Sequence, residues 1–235
     1  YMSMGETAEN VGREYSISRE EQEVFAVASQ HKAGEAKTKG LLADEIVPIE
    51  VGGYSIEEDG CLRPTTDLEG LAGLKLAFDE NGTVTAGTSS PLTDGAAATL
   101  VCSLDYANAN GLTPMARIAS IAVSGCKPET MGLGPIFSSR KALSRAGIEA
   151  KDLDVVEINE AFATQSIASI RDLELDTAKV NIDGGAIAIG HPLGATGARI
   201  TGKAAQLLKR QGGRYALSTQ CIGGGQGIAT VLEAA

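Results

Sequence analysis

One stretch constrains this chain more than any other: Gly184 to Arg199, reading GGAIAIGHPLGATGAR. It holds five glycines and one of only two histidines, set between an apolar run and the start of a predicted helix. Glycine lifts the steric ban on positive φ and lets backbone approach another element closely, while Pro192 restrains both itself and the histidine before it. The backbone therefore fixes His191 in place. An imidazole held in that way is a candidate for proton transfer or for donating to a developing oxyanion.

Composition narrows the setting. With 235 residues, 43% apolar and 21% charged, the chain has enough material for a sizeable core in one or two domains. A formal net charge of -10 argues against a nucleic-acid or anionic-membrane surface, because both need clustered Lys and Arg. No apolar run reaches the ~20 residues needed to span a bilayer, and the first residues lack a signal-peptide pattern. These features predict a cytoplasmic protein with a small-molecule partner, no nucleic acid and no membrane insertion. Cys61, Cys102, Cys126 and Cys221 show no CxxC spacing and, with two histidines, make a poor zinc set. No metal is expected, and the thiols are expected to be reduced.

Along the chain, residues 1–17 show no first structural element, and Met2 and Met4 are more simply core fillers than the lining of an apolar ligand site. Ser18-Arg-Glu-Glu21 has the form of a capping box opening a helix that Gly40 closes, with Val24, Phe25, Val27 and Ala28 on its apolar side. Residues 45–51 (EIVPIEV) predict a short strand and 52–66 a polar loop holding Arg63-Pro64. A loop arginine is usually solvated, but one restrained by a proline can meet a phosphate. Residues 83–98 are small, with a candidate N-cap at Thr93 or Asp94, and suit close packing or a backbone turned to a ligand. Residues 97–104 read as a buried strand or the adjoining helix. From about Met115 the pattern becomes regular: strands over 116–123, 154–158, 180–182, 214–220 and 227–232, helices over 135–146, 160–173 and 195–211. That alternation predicts a layered α/β domain closed by an antiparallel pair.

Three polar clusters fall at predicted strand ends: Asn159-Glu160, His191, and Cys221 beside the glycine run 223–225. Strand ends are where α/β folds place ligands. Taken singly, Cys221 is a small buried hydrophobe, His191 a core histidine and Asn159 a turn residue. Together, a Cys/His/Asn set at glycine-rich turns points to chemistry, with backbone N–H groups beside the sulfur as a candidate oxyanion site. GGGQG fits neither GxxxxGK[ST] nor GxGxxG, so a nucleotide-phosphate loop is excluded. A cysteine hydrolase shares the residue types but has no motif behind it here.

The segments MGETAENV, SREEQEVFAVASQ, DEIVP, GTVTAG, DGAAA, MGLGP, NEAF, GGAIAIGHPLGATGAR and CIGGGQG resemble the thiolase family. The likeness is greatest to bacterial 3-ketoacyl-CoA thiolases and acetyl-CoA acetyltransferases. The resemblance implies a thiolase-like layered α/β/α architecture and a C-terminal portion only: residues 1–92 the remainder of a loop domain, 93–114 the last piece of the first half, and 115–235 the complete C-terminal half. The implied reaction is CoA-dependent cleavage of 3-ketoacyl-CoA to acetyl-CoA and a shortened acyl-CoA, as in fatty acid β-oxidation, or the reverse Claisen condensation.

Carried over residue by residue, the resemblance makes Cys221 the general acid/base and His191 the group that activates the nucleophile and helps bind the thioester oxygen. Asn159 would hold a water at that oxyanion site, and the Gly223 N–H would serve a second one. Arg63 and the stretch from Ala86 to Ser90 would contact CoA, with Met4, Phe78, Met131 and Phe162 as apolar walls. Ser3 stands where some members carry a histidine. Coenzyme A is the substrate, no covalently bound cofactor is implied, and the intact protein would be a homodimer or tetramer. The family's acyl-accepting cysteine belongs to a first half not found here, and none of Cys61, Cys102 or Cys126 stands in its context. The chain alone is therefore expected to be inactive, the alternative being a nucleophile-less CoA-binding or scaffold protein.

Overall fold

A computed structural model describes residues 2–235; residue 1 lies outside the described residues. The opening, where the sequence predicts no element, is a helix, α1 (Met4–Glu14). Ser3 and Glu6 form a capping box that local pattern reading overlooks: Glu6 N–H donates to Ser3 Oγ at 3.3 Å and Ser3 N–H to Glu6 Oε2 at 2.7 Å.

Helix α2 (Arg19–Thr38) starts at the expected Ser18–Glu21 box and ends before Gly40, which takes a φ of +70°. Its buried face differs in part from the expected one. Phe25 and Val27 pack half-buried against the core, but Val24 is 51% exposed and Ala28 is exposed, whereas Gln22, Ala26, Ser29, Gln30 and Ala33 are buried at helical spacing. The amides and hydroxyl of that face reach partners: Gln22 Nε2 donates to Thr83 Oγ1, Ser29 Oγ to Glu160 and Gln30 Nε2 to the Ile187 carbonyl. Gln22 Oε1 is left without one among the described residues. A buried polar side chain costs little once paired, so hydrophobicity alone misses half of the buried face.

Residues 49–56 form a small antiparallel hairpin, β1 (Ile49–Val51) with β2 (Tyr54–Ile56), joined through Gly52 and Gly53 at positive φ. The second strand lies in the expected loop. After α3 (Leu68–Ala72) the chain runs without regular strand or helix from Ser89 to Ser103, apart from a single bridge pairing Ser89 with Phe162. Neither Thr93 nor Asp94 caps a helix; the N-cap in this region is Ser103, ahead of α4 (Leu104–Ala109). Residues 97–104 are exposed, which corrects the reading of a buried strand or helix: no strand hydrogen-bonds to them and Leu100 is 72% exposed. The close-packing reading of the small residues holds further upstream, where Thr93 sits against Gly190 and Gly95 against the Pro192 ring.

The regular part follows the alternation: β3 (Ala116–Gly125), α5 (Gly134–Ala146), β4 (Val155–Ile158), α6 (Ala163–Asp172), α7 (Ala186–Ile189), α8 (Thr196–Gln211), β5 (Tyr215–Ile222) and β6 (Gln226–Ala234). The strands form one mixed sheet in the order β3-β6-β5-β4, with β4 parallel to β5 and the other pairs antiparallel. The expected strand at 180–182 reduces to one parallel bridge between Val180 and Val156, because Asn181 turns to a φ of +44° directly afterwards.

Alternation along the strands sorts side chains into two layers. Val156, Ile158, Leu217 and Val231 join Ile136 and Ile167 in the larger core under α5 and α6; Val155, Ala216 and Leu232 meet Ala204, Leu207 and Leu208 of α8 on the other face. The result is a helix–sheet–helix arrangement in the α/β class. On the free edge of β3, Lys141 donates to the Val123 carbonyl at 3.1 Å and Arg145 to the Ile121 carbonyl, both from α5. Charged side chains on open carbonyls discourage another strand from pairing there.

Candidate functional site

Because β4 and β5 run parallel, their carboxyl ends fall side by side, and Ile158 pairs with Thr219. Asn159, the next residue, donates its N–H to the Thr219 carbonyl at 3.0 Å, and Cys221 follows two positions further along β5. Helix α8 lies along the same strand, with Thr201 Oγ1 3.1 Å from Ser218 Oγ, and its first turn reaches Gln220 at Gly197, where a Cβ would sit 3.3 Å from Gln220 Nε2. His191 is tied to that turn through a 2.6 Å hydrogen bond from Nδ1 to Thr196 Oγ1. The three residues picked from distant strand ends thus share one end of the sheet. No hydrogen bond joins the His191 and Cys221 side chains themselves among the described residues.

The tautomer of His191 follows from this geometry. Thr196 Oγ1 donates its own hydrogen to the Pro192 carbonyl at 3.0 Å, so it accepts from Nδ1–H. Nε2 is then the free lone pair. Burial, with a smaller contribution from the Arg199 guanidinium, holds His191 below the usual imidazole range. The ring is therefore neutral near pH 7 and able to accept a proton.

Cys221 stands at the start of a hairpin whose turn passes through Gly224 and Gly225 at φ of +85° and +91°. A side chain at Gly225 would lie 2.5 Å from the Cys126 carbonyl. Burial pushes the Cys221 thiol up to about 12, and the neighbouring Cys126 adds to the effect. Such a thiol is a proton holder and a poor spontaneous nucleophile. Asn159 is fully buried, and both Nδ2 and Oδ1 lack a protein partner. A buried amide left open in this way is a place for a ligand or an ordered water.

The apolar residues expected as walls partly assemble beside this end. Phe78 and Phe162 meet edge to face at 5.9 Å, and Phe78 packs against Gly5, next to Met4. The Met4 sulfur is the nearest atom to a Cβ built on Gly223, at 3.9 Å. Ser90 donates its N–H to the Ala161 carbonyl, which brings the 86–90 stretch alongside Phe162; Ala86 itself is exposed. Met131 is buried in the turn before α5, where its carbonyl accepts from Cys126 Sγ at 3.8 Å. Arg63 joins none of these contacts: its N–H meets Gln30 Oε1 of α2 at 2.8 Å and its side chain is exposed.

Glu160 is the residue whose part the sequence did not reveal. Its buried carboxyl accepts from Ser29 Oγ at 2.6 Å, Asn181 Nδ2 at 2.7 Å and Ile187 N–H at 3.1 Å. Burial pushes this carboxyl up, while those donors and Lys32 pull it down. Its position directly after Asn159 is the only local signal. Ser29, on a face of α2 read as polar, gives none. Two residues before Asn159, Glu157 is equally buried and has no partner at either oxygen, and burial raises it to about 8 against the pull of Arg199 and Lys203. Asp183 is the opposite case: burial is outweighed by Arg210 at 2.5 and 2.8 Å and Lys203 at 2.6 Å, so it stays below the usual carboxylate range.

Comparison with known proteins places these residues in context. Residues 1–105 match the profile described as thiolase, N-terminal domain, and residues 112–234 that described as thiolase, C-terminal domain. The 3-oxoadipyl-CoA/3-oxo-5,6-dehydrosuberyl-CoA thiolase of Escherichia coli (strain K12) is 50% identical over 98% of this chain and 59% of its own length. The crystal structure of human mitochondrial 3-ketoacyl-CoA thiolase in complex with CoA superposes with a TM-score of 0.92 at 44% identity, over 100% of this chain and 59% of that one. The Bacillus anthracis acetyl-CoA acetyltransferase structure gives 0.96 at 42% identity, over 100% and 61%. The expectation of a C-terminal portion only is not borne out, since residues 1–105 match the N-terminal domain profile as well. The chain spans about three fifths of the length of the relatives it matches, 59% for the Escherichia coli protein.

Proposed function

Because the chain belongs to the thiolase family, we propose that the protein carrying it catalyses CoA-dependent acyl transfer. The reaction is thiolytic cleavage of a 3-ketoacyl-CoA to acetyl-CoA and a shortened acyl-CoA, or the reverse condensation. The observation that carries this reading is the meeting of Asn159, the His191 mount and the Cys221 hairpin at the carboxyl ends of β4 and β5.

The protonation states fit such chemistry. Claisen cleavage leaves an enolate of acetyl-CoA, which needs a proton, and the Cys221 thiol, with its proton held up to about pH 12, is suited to deliver it. Neutral His191, with Nε2 open, is suited to take the proton of an attacking thiol and then, as imidazolium, to donate to the thioester oxygen. The open amide of Asn159 would anchor a water that donates to the same oxygen, and the exposed turn at Gly223 offers an N–H to a second. Met4, Phe78, Phe162 and Met131 would border the pantetheine, and the 86–90 backbone and Arg63 would meet the rest of CoA. In this reading residues 1–92 serve CoA binding and 115–235 bear the chemistry, with 93–114 between them; the intact protein is a homo-oligomer working in the cytoplasm.

The acyl group needs a nucleophilic thiol besides Cys221, and this chain offers none suited to the task. Cys102 is exposed in the irregular segment, Cys61 lies in the 57–66 loop, and burial pushes the Cys126 thiol up. The chain by itself is therefore expected to bind CoA without turning over, which is also how a scaffold would behave. Two measurements test this. Calorimetry with CoA on the folded chain should show binding, and a flat titration would remove the CoA site. Thiolysis of acetoacetyl-CoA by the purified chain should stay at the uncatalysed rate; turnover at ordinary enzyme rates, about 1–10³ per second, would refute the inactivity.

A further inference from the structure

Three contacts meet at one buried carboxyl. Glu160 sits in the turn after Asn159, and its Oε2 accepts from Ser29 Oγ of α2 and from the Ile187 N–H of α7, while Oε1 accepts from Asn181 Nδ2. Asn181 cannot be turned to suit a different partner, because its amide is already committed to both the N–H and the carbonyl of Ile158 at 2.9 Å each. Ser29 Oγ also accepts the Gly185 N–H at 3.1 Å, and Gln30 holds the Ile187 carbonyl at 3.2 Å. The α7 segment that leads into Gly190 and His191 is thus fastened by side chains from two other elements. Its own backbone supplies one short helical turn. Gly185 is needed for the fit: a Cβ there would stand 2.1 Å from the Glu160 carboxyl carbon.

We propose that Glu160 is a positioning residue, holding the His191 segment and the Asn159 turn in fixed register, with Ser29 of α2 as the third point of the clamp. The proposal rests on the acyl-transfer reading for its choice of His191 and Asn159 as the groups that matter. Every donor to Glu160 comes from a different stretch of chain: Ser29 from the region matching the N-terminal domain, Asn181 and Ile187 from that matching the C-terminal one. Only a group that accepts at both oxygens satisfies all three. Glutamine presents an NH2 toward Asn181 Nδ2, donor against donor, or toward Ser29 and Ile187, where the Ile187 N–H loses its acceptor and Ser29 must reverse from donor to acceptor.

With two histidines in the chain, the imidazole of His191 can be read directly by ring-15N spectroscopy of the full chain, and His31, which packs against the Thr66 carbonyl, serves as the internal control. In the parent, His191 should appear as the Nδ1–H tautomer with a titration midpoint below that of free histidine. E160Q and S29A should each weaken that tautomer signature and raise the midpoint toward the free value, E160Q more than S29A, with His31 unmoved. Circular dichroism establishes that each variant is folded; if E160Q is not, S29A decides. A His191 spectrum and titration identical to the parent in the folded variants overturns the proposal. CoA calorimetry and thiolysis do not enter this readout, so the positioning role and the acyl-transfer reading can fail separately.

Discussion

Two stretches of this chain are built from the same small residues and end in opposite surroundings. Residues 93–104 read TDGAAATLVCSL and residues 184–196 read GGAIAIGHPLGAT. Gly184 to Ala188 are buried, and their backbone groups are met by Ser29, Gln30 and Glu160. Residues 94–104 are all exposed; the one side-chain hydrogen bond from them onto the mount and α8 runs from Thr99 Oγ1 to the Ala198 carbonyl, and Leu100, Val101 and Leu104 face solvent. Small side chains permit close packing but do not supply it. What separates the two stretches is whether buried polar side chains from elsewhere wait to pair with the backbone.

If the buried end holds carboxyls cut off from water, pH should act there first and most strongly. Glu157 holds its proton more tightly folded than unfolded, so its contribution is complete below its ordinary value of 4.5 and is lost as pH rises through about 8. At 1.36 kcal/mol per unit, the parent should lose on the order of 5 kcal/mol of folding stability over that window, and E157Q should flatten the loss. Urea unfolding across the pH range measures it; parallel curves for parent and variant would mean that Glu157 is solvated after all.

A second comparison sits within the mount. Gly185→Ala pushes a methyl into the Glu160 carboxyl and should cost about 1–3 kcal/mol, whereas Gly194→Ala, with nothing within 4 Å, should change stability by less than about 0.5 kcal/mol. Equal midpoints in urea would break the contrast between clamped and free glycines.

The smallest effect belongs to the exposed stretch. Leu100→Asp should leave the unfolding midpoint within about 0.5 kcal/mol of the parent, since no packing is lost. Limited proteolysis should cut within 94–103 before any site in α8. Cleavage of α8 first, or a large destabilisation by the aspartate, would show the stretch to be covered in solution.

Apart from the strand expected at 180–182 and the short helix α7, the elements after residue 115 were legible because their signals are local and agree with one another. Alternation in β3 to β6, Pro135 at the first turn of α5 and a glycine closing both α5 and α8 each point to the structure that forms. The capping box at Ser18 is of the same kind. The misreadings have different causes. The face of α2 depends on partners such as Thr83 and Glu160, which no window of a dozen residues contains. The strand at 54–56, by contrast, pairs with 49–51 within eight residues and is masked only by the polar composition around it, and 97–104 has no strand partner among the described residues. For the candidate site, residue types and motifs singled out Cys221, His191 and Asn159, but nothing nearby in sequence distinguishes Ser29 from any other helix serine.

By itself, then, the sequence determined the α/β class, the family and the side chains suited to proton transfer, since those follow from local periodicity and from unusual residue types at fixed spacing. The tertiary structure decided which face of α2 is buried, which nitrogen of His191 stays open and which carboxyls hold their protons. The face of α2 and the state of the carboxyls turn on a hydrogen-bond partner or a loss of water brought about by chain tens to more than a hundred residues away, as Ser29 is from Glu160. The open nitrogen of His191 turns on Thr196, five residues on, once the chain folds back there. Folding alone creates that proximity.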